Sequence, residues 1–215
     1  MGIKERVDRV YSSNNNQELT KNYDIWADEY EQDLIGDSDY LSPEKVADFV
    51  LKYVSKSCKI LDAGSGTGLA GKVLYDYDYT NLVAIDISEG MLNKARQKNI
   101  YTELYKQVLG ETLDFPTNFF DAVICVGVFT YNHAPSSAFD ELIRITKPEG
   151  YIIFTLRPDF YEINQYFQTK MTALESSSQW QFLERGEKYY SHPNTNSDTI
   201  LEVWTYQVIS LMDNG

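Results

Sequence analysis

Asp62, the alternating glycines Gly64, Gly66 and Gly68, and Asp86 are the residues of this chain whose types and spacing carry the most chemistry. Glycines at every second position let a backbone bend tightly and approach a ligand, and a helix that starts just after them offers unpaired N–H groups. A carboxylate at the end of a neighbouring strand can accept hydrogen bonds from both hydroxyls of a ribose diol. Glycine spacing alone means no more than a tight turn. The flanks add context: Cys58-Lys59-Ile60-Leu61-Asp62 reads as a strand running into the turn, and Leu82-Val83-Ala84-Ile85-Asp86 as a second buried strand. Both acids therefore close strands, and in open parallel sheets a ligand sits beyond the carboxyl ends of the strands, where strand order reverses.

A dinucleotide would use similar geometry, but its fingerprint is Gly-x-Gly-x-x-Gly. Here the spacing is Gly-x-Gly-x-Gly, with Leu69 following Gly68. Asp62 would also set a negative charge close to a pyrophosphate. Both features disfavour a nicotinamide-dependent oxidoreductase and favour a ligand that is cationic at that end, through an ammonium and a sulfonium.

A second set of candidates lies in Val128-Phe129-Thr130-Tyr131-Asn132-His133, the loop after the fourth strand. His133 is one of two histidines in the chain, and an ordinary imidazole pKa near 6.5 suits a general base. A solvated loop histidine is the plainer alternative. Tyr131 either lines the same pocket or packs, and His192, in a Ser/Pro/Asn-rich loop, is given no role. Tyr23, Trp26, Ala27 and Tyr30 fall at spacings of three and four, on one helical face, as core residues also would. The Tyr and Phe residues after Phe160 either shape an acceptor pocket or fill the core. No His/Cys/carboxylate set has metal-site spacing, so no metal is expected.

These side chains need elements to hold them. The chain has 215 residues, 43% apolar and 24% charged, enough for one compact domain. No apolar run approaches membrane-spanning length. The polar stretch from Met1 to Asn22 lacks the apolar core of a secretory signal, and Cys58 and Cys125 are too few for a disulfide framework. A reduced, cytoplasmic protein is expected. The net charge of −13 repels nucleic acid, and no cluster of Lys and Arg offsets it. The expected partner is a small molecule, with no nucleic acid and no membrane.

Residues 1–20, with the run Asn14-Asn15-Asn16-Gln17, are expected to be a flexible lead-in to one domain over residues 21–215. Ser42 as N-cap, with Pro43 at the first helical position and Glu44 in the first turn, opens a helix. Leu69 to Tyr75 reads as a helix, and Ser88 caps another that carries Met91, Leu92 and Ala95. A weaker strand is expected over Thr102 to Val108, and a strong one over Ala122 to Val126. A helix over Ser137 to Ile145 stops at Lys147-Pro148-Glu149-Gly150, before a strand over Tyr151 to Leu156. A helix over Tyr161 to Leu174 precedes a closing pair of strands, Trp180 to Lys188 and Ile200 to Ile209. Alternating strands and helices imply a parallel sheet covered on both faces, with the closing pair antiparallel.

Leu61-Asp62-Ala63-Gly64-Ser65-Gly66-Thr67-Gly68 resembles motif I of the class I, Rossmann-like methyltransferases, and Ala84-Ile85-Asp86-Ile87-Ser88-Glu89-Gly90-Met91-Leu92 resembles their ribose- and adenine-contacting element. Phe120-Asp121-Ala122-Val123-Ile124 and Lys147-Pro148-Glu149-Gly150 match the start of the family's fourth strand and the turn before its fifth. More narrowly, Tyr23-Asp24-x-Trp26-Ala27-x-x-Tyr30, Ala122-Val123-Ile124-Cys125-Val126-Gly127 and Arg144-Ile145-Thr146-Lys147-Pro148 are similar to the methyltransferase-like branch named for the Williams–Beuren syndrome chromosome region.

The resemblance implies an α/β fold: a seven-stranded, doubly wound, mostly parallel sheet with an antiparallel C-terminal strand pair. It implies S-adenosylmethionine as cofactor, S-adenosylhomocysteine as product, and a methyltransferase acting on a small-molecule acceptor at oxygen or nitrogen. A non-catalytic protein that binds the cofactor is the alternative. The implied cofactor residues are Asp62, Gly64, Gly66, Gly68, Asp86 and Val126. Tyr23, Trp26 and Tyr30 would close over the cofactor from a lid helix spanning residues 21–35. His133 and Tyr131 are the candidates for chemistry. In one departure, the family often has an acid just after the third strand to bind the adenine amino group, and here that slot falls near Leu109-Gly110. Ile87 or Met91, backbone groups near Gly110, or Glu111 would then hold the adenine.

Overall fold

The apolar runs become strands whose burial follows their place in a sheet. The computed structural model describes residues 2–36, 39–193 and 198–209. Met1 of the expected lead-in and the end of the expected domain beyond residue 209 lie outside the described residues. β1 (Ile60–Ala63) and β2 (Leu82–Asp86) are buried at every position, as central parallel strands must be. β3 (Glu103–Lys106) is mostly exposed and forms an edge. β4 (Phe120–Phe129), β5 (Thr146–Leu156), β6 (Trp180–Arg185), β7 (Tyr189–Tyr190) and β8 (Ile200–Val208) complete an eight-stranded sheet of order β3-β2-β1-β4-β5-β8-β6, with β7 paired to β8. The strands from β3 to β5 run parallel, and β8 lies antiparallel between β5 and β6. The mostly parallel sheet with an antiparallel end is the expected one, and the two-residue β7 is the addition.

Two apolar layers cover the sheet. On one face, Val46, Ala47 and Val50 of α3 (Ser42–Tyr53) pack with Leu74 of α4 (Leu69–Asp76) against Ile60, Ile124 and Ile153. On the other, Phe139 and Leu142 of α6 (Ala138–Ile145) meet Phe154, Trp180 and Tyr206. α5 (Glu89–Gln97) follows β2 and opens as expected, with Ser88 Oγ accepting from Met91 N at 3.1 Å. Two motif residues act as fasteners. Asp121 accepts from Lys59 N at 2.8 Å and from Lys147 Nζ at 2.6 Å, tying the starts of β1, β4 and β5 together. Arg144 holds the carbonyls of Phe115 and Leu113 at 2.8 and 2.9 Å.

Four local expectations are corrected. Residues 1–20 are not an unstructured lead-in: they supply α1 (Ile3–Tyr11) and the first turns of α2 (Asn16–Trp26). Ser12 ends the first helix, and Asn15 of the asparagine run caps the next, its Oδ1 accepting from Glu18 N at 2.9 Å, while Val10, Leu19 and Trp26 bury against one another. The expected lid helix over residues 21–35 is broken: α2 ends at Trp26, and a one-turn π-helix, Gln32–Gly36, follows a turn. Ser42 is not an N-cap. Helix α3 already includes it, and its Oγ accepts from the Tyr189 hydroxyl at 3.0 Å. The helix expected over Tyr161 to Leu174 is two, α7 (Pro158–Ile163) and α8 (Gln165–Ser176), because Asn164 caps the second by accepting from Phe167 N at 3.2 Å.

Helix α2 is docked on α5. Asp24 Oδ1 accepts from Ser88 Oγ at 2.5 Å and from Gly90 N at 2.8 Å, which places a carboxylate at the amino end of α5. Lys94 pairs with Asp28 at 2.7 Å, and Lys98 pairs with Glu31.

Candidate functional site

The glycine turn after β1 divides its labour by position. Gly64 has φ +81°, and a Cβ there would collide with Val128, so its lack of a side chain lets β4 approach. A Cβ on Gly66, at φ +55°, would meet nothing within 4 Å, so this residue faces open space at the carboxyl ends of the strands. Gly68, at φ +89°, starts α4. Asp86 spans the mouth of this turn: Oδ2 accepts from Gly66 N at 2.8 Å and Oδ1 from Ser88 N at 2.9 Å. Burial pushes its pKa up to about 6, against the pull of those backbone donors.

Above the turn lies a chamber. Gly64 and Gly66 form its floor, and Asp86, Ile87 and Met91 one wall. Gln107, Val108 and Leu109 line it as well, together with Leu19, Tyr23 and Tyr30 from the N-terminal segment and Val126 and His133 from β4 and the loop after it. Most of the residues expected around a cofactor therefore converge. Gly110 and Glu111 do not line the chamber; Gly110 instead turns at φ +99° against Pro135, and Glu111 is exposed. Gln107 to Leu109 lie in their place, a contribution without a signal in the sequence because backbone and apolar groups carry it.

Asp62 sits just beneath the chamber, 1% exposed. Tyr101 donates its hydroxyl to Oδ2 at 2.5 Å, while Oδ1 is buried with no hydrogen-bond partner. Burial pushes the carboxyl up to about 7, and the charge of Asp86 adds to the rise. Tyr101 reaches Asp62 because Gly71 and Gly68 leave room: a Cβ at either would strike its ring. Among the described residues no lysine or arginine pairs with Asp62 or Asp86. Two buried, unpaired carboxylates with depressed acidity suit a cationic ligand bearing a diol, and the open Gly66 gives it backbone to lie against.

His133 is fixed by both ring nitrogens. Nδ1 lies 2.7 Å from the Tyr131 carbonyl, which can only accept, so Nδ1 carries the proton. Nε2, 2.7 Å from the Tyr23 hydroxyl, then accepts from it. Burial lowers the pKa of His133 and keeps the ring neutral. Tyr131 serves the histidine through its backbone; its ring packs edge-on against Phe160 at 5.0 Å and under the Arg157 guanidinium at 5.2 Å. Trp26 stacks parallel to Tyr23 at 6.3 Å and donates Nε1 to Asp33 at 2.7 Å, facing away from the first chamber.

Trp26 faces a second cavity of about 490 Å³ beside the first. Tyr23, Tyr30 and Gly127 line both spaces. His192, given no role from the sequence, lies on the far wall stacked on Tyr40 at 4.9 Å. No group of three or more His, Cys, Asp or Glu among the described residues could hold a metal ion. No helix among them is long and apolar enough to cross a membrane.

Comparison with known proteins places this geometry in a family. Residues 61–154 match the family described as "Methyltransferase domain". The chain is 32% identical over 167 residues to human Methyltransferase-like protein 27, covering 75% of this chain and 67% of that protein. It is 37% identical over 71 residues to the bovine 18S rRNA (guanine-N(7))-methyltransferase, covering 33% of this chain and 25% of that enzyme. The [4+2]-cyclase SpnF superposes with a TM-score of 0.69 at 14% identity, covering 92% of this chain and 98% of the cyclase, a likeness of fold.

Proposed function

This chain belongs to the class I S-adenosylmethionine-dependent methyltransferases, and from that premise we propose that it methylates a small-molecule acceptor at oxygen or nitrogen. The observation that carries the proposal is the first chamber, lined by Asp86 and by the neutral imidazole of His133, with the buried Asp62 just beneath it and no cation paired with either acid among the described residues. A chain of net charge −13 with a roofed site is poorly suited to a polyanionic substrate. Two free thiols, Cys58 and Cys125, fit a reducing, cytoplasmic compartment.

S-adenosylmethionine, when bound, supplies a methyl group on an already activated sulfonium leaving group. The residues here have other tasks. Asp86 keeps lone pairs beyond its two backbone bonds and would accept from the ribose hydroxyls. Asp62, with one oxygen unsatisfied, would balance the cationic end. Ile87, Met91 and the Gln107–Leu109 wall would enclose the base. Tyr23, Trp26 and Tyr30 would form a lid that excludes water, with Trp26 backing Tyr23 from the second cavity. His133, neutral and protonated on Nδ1, presents the nitrogen that can take a proton from the acceptor once Tyr23 releases it.

Calorimetry with S-adenosylhomocysteine tests the proposal. The wild-type protein is expected to bind it, and Asp86→Ala to weaken it at least about tenfold, through loss of charge-assisted bonds of roughly 1.5–3 kcal/mol each. A wild-type protein that binds a nicotinamide dinucleotide and not S-adenosylhomocysteine would overturn it.

A further inference from the structure

The second cavity is built differently from the first. Its walls are aromatic, with Tyr11, Trp26, Tyr40 and Phe129 among them. Its volume of about 490 Å³ is in the range of small-molecule sites. Among the described residues, two lysine or arginine side chains line it, Lys4 and Arg157, and no carboxylate does. In a chain with 32 acidic and 19 basic residues, that local reversal of sign is a selective feature.

Arg157 is the more enclosed of the two, with its side chain 20% exposed. Nε and Nη2 donate to Asp159 at 3.0 and 2.6 Å, and that aspartate is 57% exposed on the solvent side. A guanidinium has five N–H donors, so the pair leaves donors over for the cavity. Lys4 is 86% exposed and engaged with Asp8, so Arg157 carries the charge argument. Thr130 adds a polar point on the same wall: it is 6% exposed, and its buried Oγ1 has no hydrogen-bond partner.

We propose that the methyl acceptor is an apolar, ring-bearing organic anion held in this second cavity, its rings against Trp26 and Phe129 and its acid group on Arg157. The inference rests on the first chamber being the cofactor site. Tyr23, Tyr30 and Gly127 line both spaces, so the end that they bound would receive the atom to be methylated. Thr130 would bond a polar substituent along the way.

The test uses two fluorescent probes of nearly the same shape, anionic 8-anilino-1-naphthalenesulfonate and neutral N-phenyl-1-naphthylamine, titrated into the full chain with saturating S-adenosylhomocysteine. The anionic probe is expected to bind wild type more tightly than the neutral one. Arg157→Gln is expected to weaken the anionic probe roughly tenfold and leave the neutral one within about twofold. Equal affinity of the two probes for wild type overturns the proposal without any variant, as does an anionic probe that binds the chain only when S-adenosylhomocysteine is left out. If the homologue binds and the anionic probe does not, this inference fails and the cofactor reading stands. If the homologue does not bind, the cofactor reading fails first.

Discussion

The two chambers share Tyr23, Tyr30 and Gly127 yet are made of different materials. The first is largely backbone and strand ends: a glycine turn, Asp86 at the end of β2 with Asp62 of β1 just beneath, and the loops after β3 and β4. The second is side chains from α1, α2, β4, β5 and the segment before β8, stretches far apart in sequence. A site made of backbone geometry constrains residue types at fixed spacing. A site made of side-chain faces needs only approximate shape and charge, so it can vary while the first is kept. That contrast predicts a cofactor chamber common to the family and an acceptor chamber particular to this chain.

The largest effect expected lies at the boundary. His133→Ala should lower turnover by roughly 10²–10⁴-fold if the ring takes the acceptor's proton, while affinity for S-adenosylhomocysteine stays nearly unchanged. Turnover within about tenfold of wild type would reduce the boundary to alignment alone. Steady-state kinetics paired with calorimetry separates the two.

A middle-sized effect distinguishes the chambers by pH. Asp62 and Asp86 have pKa values raised to about 7 and about 6 by burial, so in the free protein they contribute stability at low pH that is lost as pH rises through those values. A cationic, diol-bearing ligand favours their ionised forms. Its affinity should therefore rise with pH from about 5 to 7.5, by up to roughly tenfold per unit per group, with proton release on binding. Among the described residues the second cavity has no carboxylate in its lining, and burial lowers the pKa of its one imidazole, His192, so binding of the anionic probe should stay nearly flat over the same range. Calorimetry in buffers of different ionisation enthalpy reads both; a flat profile for S-adenosylmethionine would mean that the acids do not meet the ligand.

The smallest effect concerns the shared roof. If Tyr23 to Tyr30 form a lid, amide exchange there should slow when S-adenosylhomocysteine binds, whereas the buried β4 should be protected equally in both states. Strong, equal protection of Tyr23 to Tyr30 with and without ligand would make the segment plain core.

The sheet was readable in the sequence because its central strands are apolar on both faces, and Asp62, Gly64, Gly66 and Asp86 were readable because backbone conformation and buried charge restrict what can stand there. Tyr101 was not, although a clue existed: Gly71 lies inside α4, where glycine is unfavourable by about 1 kcal/mol relative to alanine, and only the packed Tyr101 ring explains it. Helix α1 was hidden by its polarity, since Val7, Val10 and Tyr11 are spaced for burial but surrounded by charge. Arg157 and Thr130 gave no signal, because their meaning comes from which distant side chains they meet.

The docking of α2 on α5 has a kinetic consequence. Asp24 sits on the amino end of α5, and the pairs Asp28–Lys94 and Glu31–Lys98 continue the contact along its length. Ion pairs that are partly exposed weaken as dissolved ions screen them over a Debye length of about 10 Å at 0.1 M. The segment over the first chamber is thus fastened by an ionic zipper to the helix that follows Asp86. If that segment is a lid over a bound nucleoside, added salt should shorten the nucleoside's residence time by loosening these ion pairs, although none of them lines the chamber.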